Sequence, residues 1–220
     1  MRPKPRQRDM SLRDRLRAMM SLRPAHYRAM LDELAARLSR TTGDGVLKPG
    51  DPMPDFVLPT ADGDLVSSDE LLAAGPVAAM FFRGDWCPFC KETLTAYNDI
   101  VPEIAALGGR LIAMTPDIGA PALSAVTGLS LRFPVLCDVD SAVAMQFGVV
   151  YRLPDTLRYF YKNGGVDLDA RHGDASGLLP MPGLFVADRT GVIRFAQVSG
   201  DVTERTEPEA ILKALRAIGG

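Results

Sequence analysis

Residues 77–91 set an apolar strand, a break and a pair of cysteines in immediate succession, and few folds accommodate that order. Val77 to Phe81 is an unbroken apolar run of strand length, continued by Phe82. Arg83-Gly84-Asp85 interrupts it, and Trp86-Cys87-Pro88-Phe89-Cys90-Lys91 follows. Leu94, Tyr97, Val101, Ile104 and Leu107 then recur at helical spacing. The two thiols thus lie where a strand hands over to a helix N-terminus. There the free backbone N–H groups and the positive end of the helix dipole favour a thiolate. Cys87 falls at or just before the first turn, and Cys90 falls one turn later on the same side, so their sulfurs can bond with little backbone movement. Pro88 lacks an N–H, which a first turn tolerates. The pair is read as a redox-active dithiol, since a thiolate attacks a disulfide or a peroxide where a thiol does neither well.

Other uses of these cysteines are weaker. A zinc site would need two further ligands. Only His26, His172 and Cys137 remain, scattered along the chain, so no metal and no cofactor is expected. The two histidines are read as surface residues, and Cys137, before Asp138, as a buried spectator. Three cysteines in all argue against a disulfide scaffold and suit a reducing, cytoplasmic setting. No apolar run approaches a membrane span, and the basic start has no apolar segment behind it, so no secretory signal is expected.

Along the chain, strands alternate with helices. Ser11 to Met20 and Pro24 to Leu38 carry helical apolar stripes (Leu12, Leu16 and Met19/Met20, then Tyr27, Met30/Leu31, Leu34 and Leu38). They form an N-terminal helical hairpin whose stripes need a body to pack on. Lys48-Pro49-Gly50-Asp51-Pro52 is a turn-rich link, which divides the chain into an extension, 1–47, and a domain, 48–220. Strands are expected at 56–58, 65–66, 77–82, 111–114, 133–136, 184–187 and 192–198, with Asp188-Arg189-Thr190-Gly191 as a hairpin turn. Pro102 falls inside the helix after Cys90 and predicts a kink at 98–102. Strands separated by helices need crossovers and become parallel neighbours, while the late hairpin adds an antiparallel edge. The fold class is therefore α/β, a mixed central sheet with helices on both faces, plus the N-terminal hairpin.

Charge is uneven. Residues 1–48 carry 12 Lys and Arg against 5 Asp and Glu, a balance of +7, and the remainder carries 13 against 22, a balance of −9. A nucleic-acid arm would interleave aromatics with its basic residues, and only Tyr27 does so here. The basic residues are read as a solvated helix face, with docking of the hairpin on an acidic surface, either of this chain's own body or of a second subunit in a homodimer, as the alternative.

Over residues 48–217 the chain resembles the peroxiredoxin-like branch of the alkyl hydroperoxide reductase/thiol-specific antioxidant (AhpC/TSA) group, within the thioredoxin superfamily. The resemblance rests on Gly50-Asp51-Pro52-Met53-Pro54-Asp55-Phe56-Val57-Leu58, on Arg83-Gly84-x-Trp86-Cys87-Pro88-Phe89-Cys90, on Phe133-Pro134-Val135-Leu136-x-Asp138 and on Leu179-Pro180-Met181-Pro182. It implies a thioredoxin-like fold and an antioxidant, thiol-dependent oxidoreductase without a cofactor. Its partners would be a disulfide or peroxide substrate and a thiol reductant such as thioredoxin, glutaredoxin or glutathione.

The departures from the family pattern divide the reading. Peroxiredoxins carry Pro-x-x-x-Thr-x-x-Cys. Here Arg83 stands for the Pro, Cys87 for the Thr and Cys90 for the peroxidatic cysteine. Pro182 occupies the place of the family's late arginine, as a proline does in thioredoxins, which makes Met181–Pro182 the expected cis bond. In the thioredoxin-like scheme an exposed Cys87 attacks a disulfide and Cys90 resolves it. That disulfide oxidoreductase is the leading expectation. The alternatives are a thiol-dependent peroxidase using Cys90 or Cys87, and a redox-sensing interaction module without turnover. Trp86 is expected to shield the dithiol, and Lys91, ahead of Arg83, to lower a thiol pKa.

Overall fold

The computed structural model describes residues 10–41 and 45–219. The sequence places the end of the second helix at Thr41-Thr42-Gly43, of which Thr42 and Gly43 lie outside the described residues. Two helices come first, α1 (Leu12–Ser21) and α2 (Ala25–Thr41). Ser11 caps α1 by accepting the Asp14 backbone N–H at 3.0 Å, and its hydroxyl donates to the Asp14 carboxylate at 2.8 Å. A short antiparallel pair, β1 (Val57–Pro59) and β2 (Leu65–Ser67), precedes α3 (Ser68–Ala74). β3 (Val77–Phe81) leads through the cysteine motif into α4 (Pro88–Asp99) and α5 (Val101–Ala106). Then come β4 (Arg110–Thr115), α6 (Ala120–Leu129), β5 (Val135–Cys137) and α7 (Ala142–Gln146). Residues 150–180 form a lobe of β6 (Val150–Arg152), α8 (Asp155–Asn163), α9 (Leu168–His172) and β7 (Leu178–Pro180). β8 (Gly183–Ala187), β9 (Ile193–Val198) and α10 (Pro208–Gly219) close the chain.

The main sheet has the order β5-β4-β3-β8-β9. β3 pairs parallel with β4, β4 parallel with β5, and β8 runs antiparallel to both β3 and β9. Every residue of β3 and of β8 is buried, so both faces of the sheet centre are covered. This is the mixed sheet that the alternation of elements predicts. The pairing of β6 with β7 is not predicted, because each strand is three residues long and carries no alternation to read. The expected kink at Pro102 is a full break. α4 stops at Asp99 and α5 restarts at Val101, because Pro102 has no N–H to donate and fits only a first turn.

The N-terminal helices share the body's core. Leu12, Leu16, Tyr27, Leu31, Leu34 and Leu38 are buried in the same cluster as the sheet residues. Their basic faces meet acidic groups of the same chain: Arg15 pairs with Glu92 at 2.5 Å, Arg13 with Glu204 at 2.8 Å, and Arg17 with Glu204 at 2.8 Å. The Glu207 carboxylate accepts the α1 backbone N–H groups of Leu12 at 2.9 Å and Arg13 at 3.0 Å, a carboxylate cap supplied from the far end of the chain. Leu16→Ala is therefore expected to lower the stability of the whole protein by about 3 kcal/mol. The check is chemical denaturation followed by circular dichroism. An unchanged midpoint would mean that α1 is not part of the cooperative unit.

Candidate active site

The site is built where β3 ends. Gly84 has φ +137°, and a Cβ there would stand 2.5 Å from both Asp117 Oδ2 and Trp86 Nε1, so only glycine fits the turn. The turn is bolted from below by a buried ionic cluster. The Asp85 backbone N–H donates to Asp117 Oδ2 at 3.2 Å, and the Arg171 guanidinium holds both Oδ1 (3.0 Å) and Oδ2 (2.7 Å) of Asp117 while also pairing with Asp85. His172 lies 3.6 Å from Asp117, buried, and burial pushes its pKa down. It is not the surface residue that the sequence suggested.

Cys87 is the N-cap of α4, with extended backbone (φ −89°, ψ 110°) and Pro88 following it. Cys90 lies one turn on. Both sulfurs are free thiols and both residues are 0% exposed, which corrects the expectation of an exposed Cys87. Arg83, the first residue after Phe82, turns inward and is itself 1% exposed. Its Nη2 donates to Cys87 Sγ at 3.0 Å and its Nη1 to the Tyr161 hydroxyl at 3.4 Å. The Trp86 ring lies 5.1 Å from the guanidinium carbon, and the Trp86 indole N–H donates to the Arg83 carbonyl at 3.1 Å. No carboxylate among the described residues lies within 4.0 Å of this guanidinium. A buried cation is costly unless an anion compensates it, and Cys87 Sγ stands in the place of that anion.

The two cysteines are driven apart in acidity. Burial opposes ionisation of Cys87, but a hydrogen bond from the Cys90 thiol and the charge and hydrogen bond of Arg83 outweigh it, leaving its pKa well below the usual thiol range. Burial, the hydrogen bond to Cys87 and the negative charge there hold Cys90 far above that range. Burial also pushes Tyr151, which faces Arg83, up to about 12. Lys91 is exposed, so of the two cations read beside the motif it is Arg83 that meets a thiol. Cys137 is buried, and burial together with the Asp117 charge raises its pKa.

The N-terminal helices roof this site. Tyr27 stacks on Phe160 at 5.0 Å, and its hydroxyl meets that of Tyr161 at 3.4 Å. The Tyr161 ring in turn packs on Trp86 at 4.8 Å. Arg23 lies 5.9 Å from the centre of the Phe89 ring. An unbroken series of contacts therefore runs from α2 through Tyr161 and Arg83 to Cys87.

Pro182 stands just before β8, beside β3. Among the described residues there is no cis peptide bond, so Met181–Pro182 is trans and the expectation of a cis bond fails. The trans form is the default for any X–Pro bond, and the sequence carried only the analogy with thioredoxins.

A mixed sheet of this order, carrying a dithiol at the N-terminus of the helix after its central strand, defines a thioredoxin-fold thiol protein. The profile of the AhpC/TSA family matches residues 49–196, and the chain belongs to that family. It is similar to a putative peroxiredoxin of Mycobacterium tuberculosis, 28% identical over 103 residues that cover 47% of this chain and 67% of the relative. It is also similar to the putative peroxiredoxin bcp of Coxiella burnetii, 26% identical over 130 residues that cover 59% of this chain and 83% of the relative. Among solved structures, peroxidoxin BcpB of Mycobacterium tuberculosis matches with a TM-score of 0.62 and 24% identity, covering 78% of this chain and 98% of that one, a likeness of fold. The chain is accordingly a thiol-dependent oxidoreductase of the peroxiredoxin-like kind.

Proposed function

We propose that the chain is a thiol-dependent peroxidase in which Cys87 attacks and Cys90 resolves. The observation that carries this is the buried Arg83–Cys87 contact at 3.0 Å, which favours the ionised form of that sulfur. The Cys87 thiolate would displace an alkoxide or hydroxide from a peroxide, becoming a sulfenic acid. Cys90 would then condense with it to a disulfide, which a thiol reductant such as thioredoxin, glutaredoxin or glutathione returns to the dithiol. The roof over Cys87 favours a substrate as small as hydrogen peroxide or an alkyl hydroperoxide over a protein disulfide. The family supports the same choice, so peroxide reduction moves ahead of the disulfide chemistry that led the sequence reading.

Disulfide reduction stays as the second reading, favoured by the Cys-x-x-Cys at a helix N-terminus. A homodimer through the N-terminal helices would have to use their outer faces, because the apolar stripe is covered by the chain's own body. No helix among the described residues is long and apolar enough to cross a membrane, and a reducing, cytoplasmic setting suits the free dithiol. Reduced protein mixed with one equivalent of hydrogen peroxide is expected to consume it within seconds, while insulin disulfides are reduced slowly. Rapid insulin reduction with sluggish peroxide consumption would reverse the order of the two readings.

A further inference from the structure

A second buried arginine stands at this site, on residues the chemistry above does not use. Arg205 follows β9 and is 5% exposed. Its Nη1 donates to the carbonyls of Asp201 at 3.0 Å and Glu204 at 2.7 Å, while its Nε and Nη2 have no hydrogen-bond partner among the described residues. No carboxylate pairs with it there either. Arg205 lines a small cavity with Thr93 and Tyr97 of α4, Phe81 at the end of β3, and Pro182 and Gly183 at the start of β8. Thr93 lies three residues after Cys90, on the same side of α4, which puts the guanidinium on the flank of the helix that carries Cys90. Burial lowers the pKa of Arg205, and its charge acts on Cys90 more than on Cys87. The charges of two buried guanidiniums thus act on the dithiol, and only Arg83 hydrogen-bonds to one of its sulfurs among the described residues. The Nε and Nη2 of Arg205 stay open to an anion.

We propose that Arg205 is a positioning residue for the resolving step, its unpaired N–H groups and charge stabilising the Cys90 thiolate once Cys87 has been oxidised. This rests on the reading that Cys87 attacks and Cys90 resolves. In the resting site the Cys90 thiol donates to the Cys87 thiolate and is repelled from ionising by it. Attack removes that obstacle. The Cys87 thiolate takes the terminal oxygen of the peroxide as a neutral sulfenic acid, and the alkoxide or hydroxide departs and gains a proton. Burial then remains to oppose Cys90, with Arg83 and Arg205 in its favour. The Cys90 thiolate attacks the Cys87 sulfur, the S–S bond forms as the S–O bond breaks, and the departing hydroxide recovers as water the proton that Cys90 gave up.

The test compares Arg205→Gln, which removes the charge, with Arg205→Lys, which keeps it. Each reduced protein is mixed with one equivalent of hydrogen peroxide at pH 7 and quenched with dimedone at intervals. Arg205→Gln is expected to consume peroxide at the wild-type rate but to resolve about threefold more slowly for each unit of rise in the Cys90 pKa, since each unit removes about tenfold of its thiolate and the more basic thiolate recovers roughly a factor of 3. Sulfenic acid would accumulate on Cys87, raising the pH to 9 would restore resolution, and Arg205→Lys would stay near wild type. Equal resolution rates in Gln and Lys variants, or equal slowing of both steps, would overturn the proposal. A second measurement needs no turnover: thiolate absorbance at 240 nm of Cys90 in a Cys87→Ser, Cys137→Ser background. Its midpoint should rise with Arg205→Gln and hold with Arg205→Lys, and an unmoved midpoint overturns the proposal too. If wild-type protein forms no sulfenic acid on Cys87 while this midpoint still responds, the peroxidase reading fails and the role of Arg205 survives.

Discussion

Arg83→Met is expected to raise the pKa of Cys87 and to slow its reaction with peroxide at pH 7 by about tenfold or more. An ordinary thiol with a pKa near 8.5 is only about 3% ionised at that pH, and a fully buried one less, because burial opposes the charged form. Part of the loss is returned. A thiolate of higher pKa is the better nucleophile, recovering roughly a factor of 3 for each tenfold loss of ionised fraction. The net effect is thus smaller than the change in ionisation, and its signature is pH dependence. The wild-type rate should be flat from neutral pH down to the low pKa of Cys87, whereas the Arg83→Met rate should climb with pH up to 9. Arg83→Lys keeps the charge and loses the fork that reaches Cys87 and Tyr161 together, so it should fall between them. Stopped-flow fluorescence of Trp86, the chain's single tryptophan, gives the rate. A folded Arg83→Met protein with an unshifted profile would remove Arg83 from the chemistry.

The contrast between Arg83 and Lys91 shows where a sequence stops being informative. Both are cations within four residues of Cys87, and the sequence favoured Lys91. Direction decides between them. Lys91 follows Cys90 on the helix and so points about 100° away from it, whereas Arg83 leaves a strand buried on both faces and has only the interior to enter. The dithiol itself and the order of the sheet were legible because strand, break, cysteines and helix are contiguous in the chain, and because alternation of elements dictates crossovers. The residues that tune the thiols were not. Tyr161 reaches Arg83 across 78 positions, and Arg171 reaches Asp117 across 54. No periodicity encodes such pairs. Burial of His172 was equally hidden, since a single histidine near a helix end carries no pattern. The roof over Cys87 had a visible counterpart in the basic, amphipathic N-terminus. Its docking partners, Glu92, Glu204 and Glu207, were visible only as an excess of acid elsewhere.

Replacing the two cysteines one at a time should give opposite failures. Cys87→Ser is expected to abolish peroxide consumption, by about a thousandfold or more. Burial still opposes ionisation of Cys90 once the Cys87 charge is gone, and the Arg83 fork points at position 87 and at Tyr161 rather than at Cys90, which makes Cys90 a poor substitute nucleophile. The serine hydroxyl will not ionise either, so Arg83 is left buried without an anion, and stability should respond. A thiol whose folded pKa is depressed stabilises the protein fully above its unfolded pKa, near 8.5, and loses that contribution as pH falls through the folded value. Wild-type stability should therefore decline on acidification into that range by a component that Cys87→Ser lacks. Cys90→Ser should behave differently. The first equivalent of peroxide is consumed at the wild-type rate, the enzyme stalls as a sulfenic acid on Cys87, and dimedone captures it in mass spectra. Turnover then needs a reductant able to attack the sulfenic acid directly, so glutathione should rescue it further than a dithiol protein that recognises a disulfide. Should Cys87→Ser instead retain activity while Cys90→Ser loses it, the attacking residue is the one in the family's own cysteine position. Arg83 would then be the counter-ion of a spectator. The two outcomes exclude each other because they assign the attack to different sulfurs, and the 3.0 Å contact from Arg83 favours Cys87.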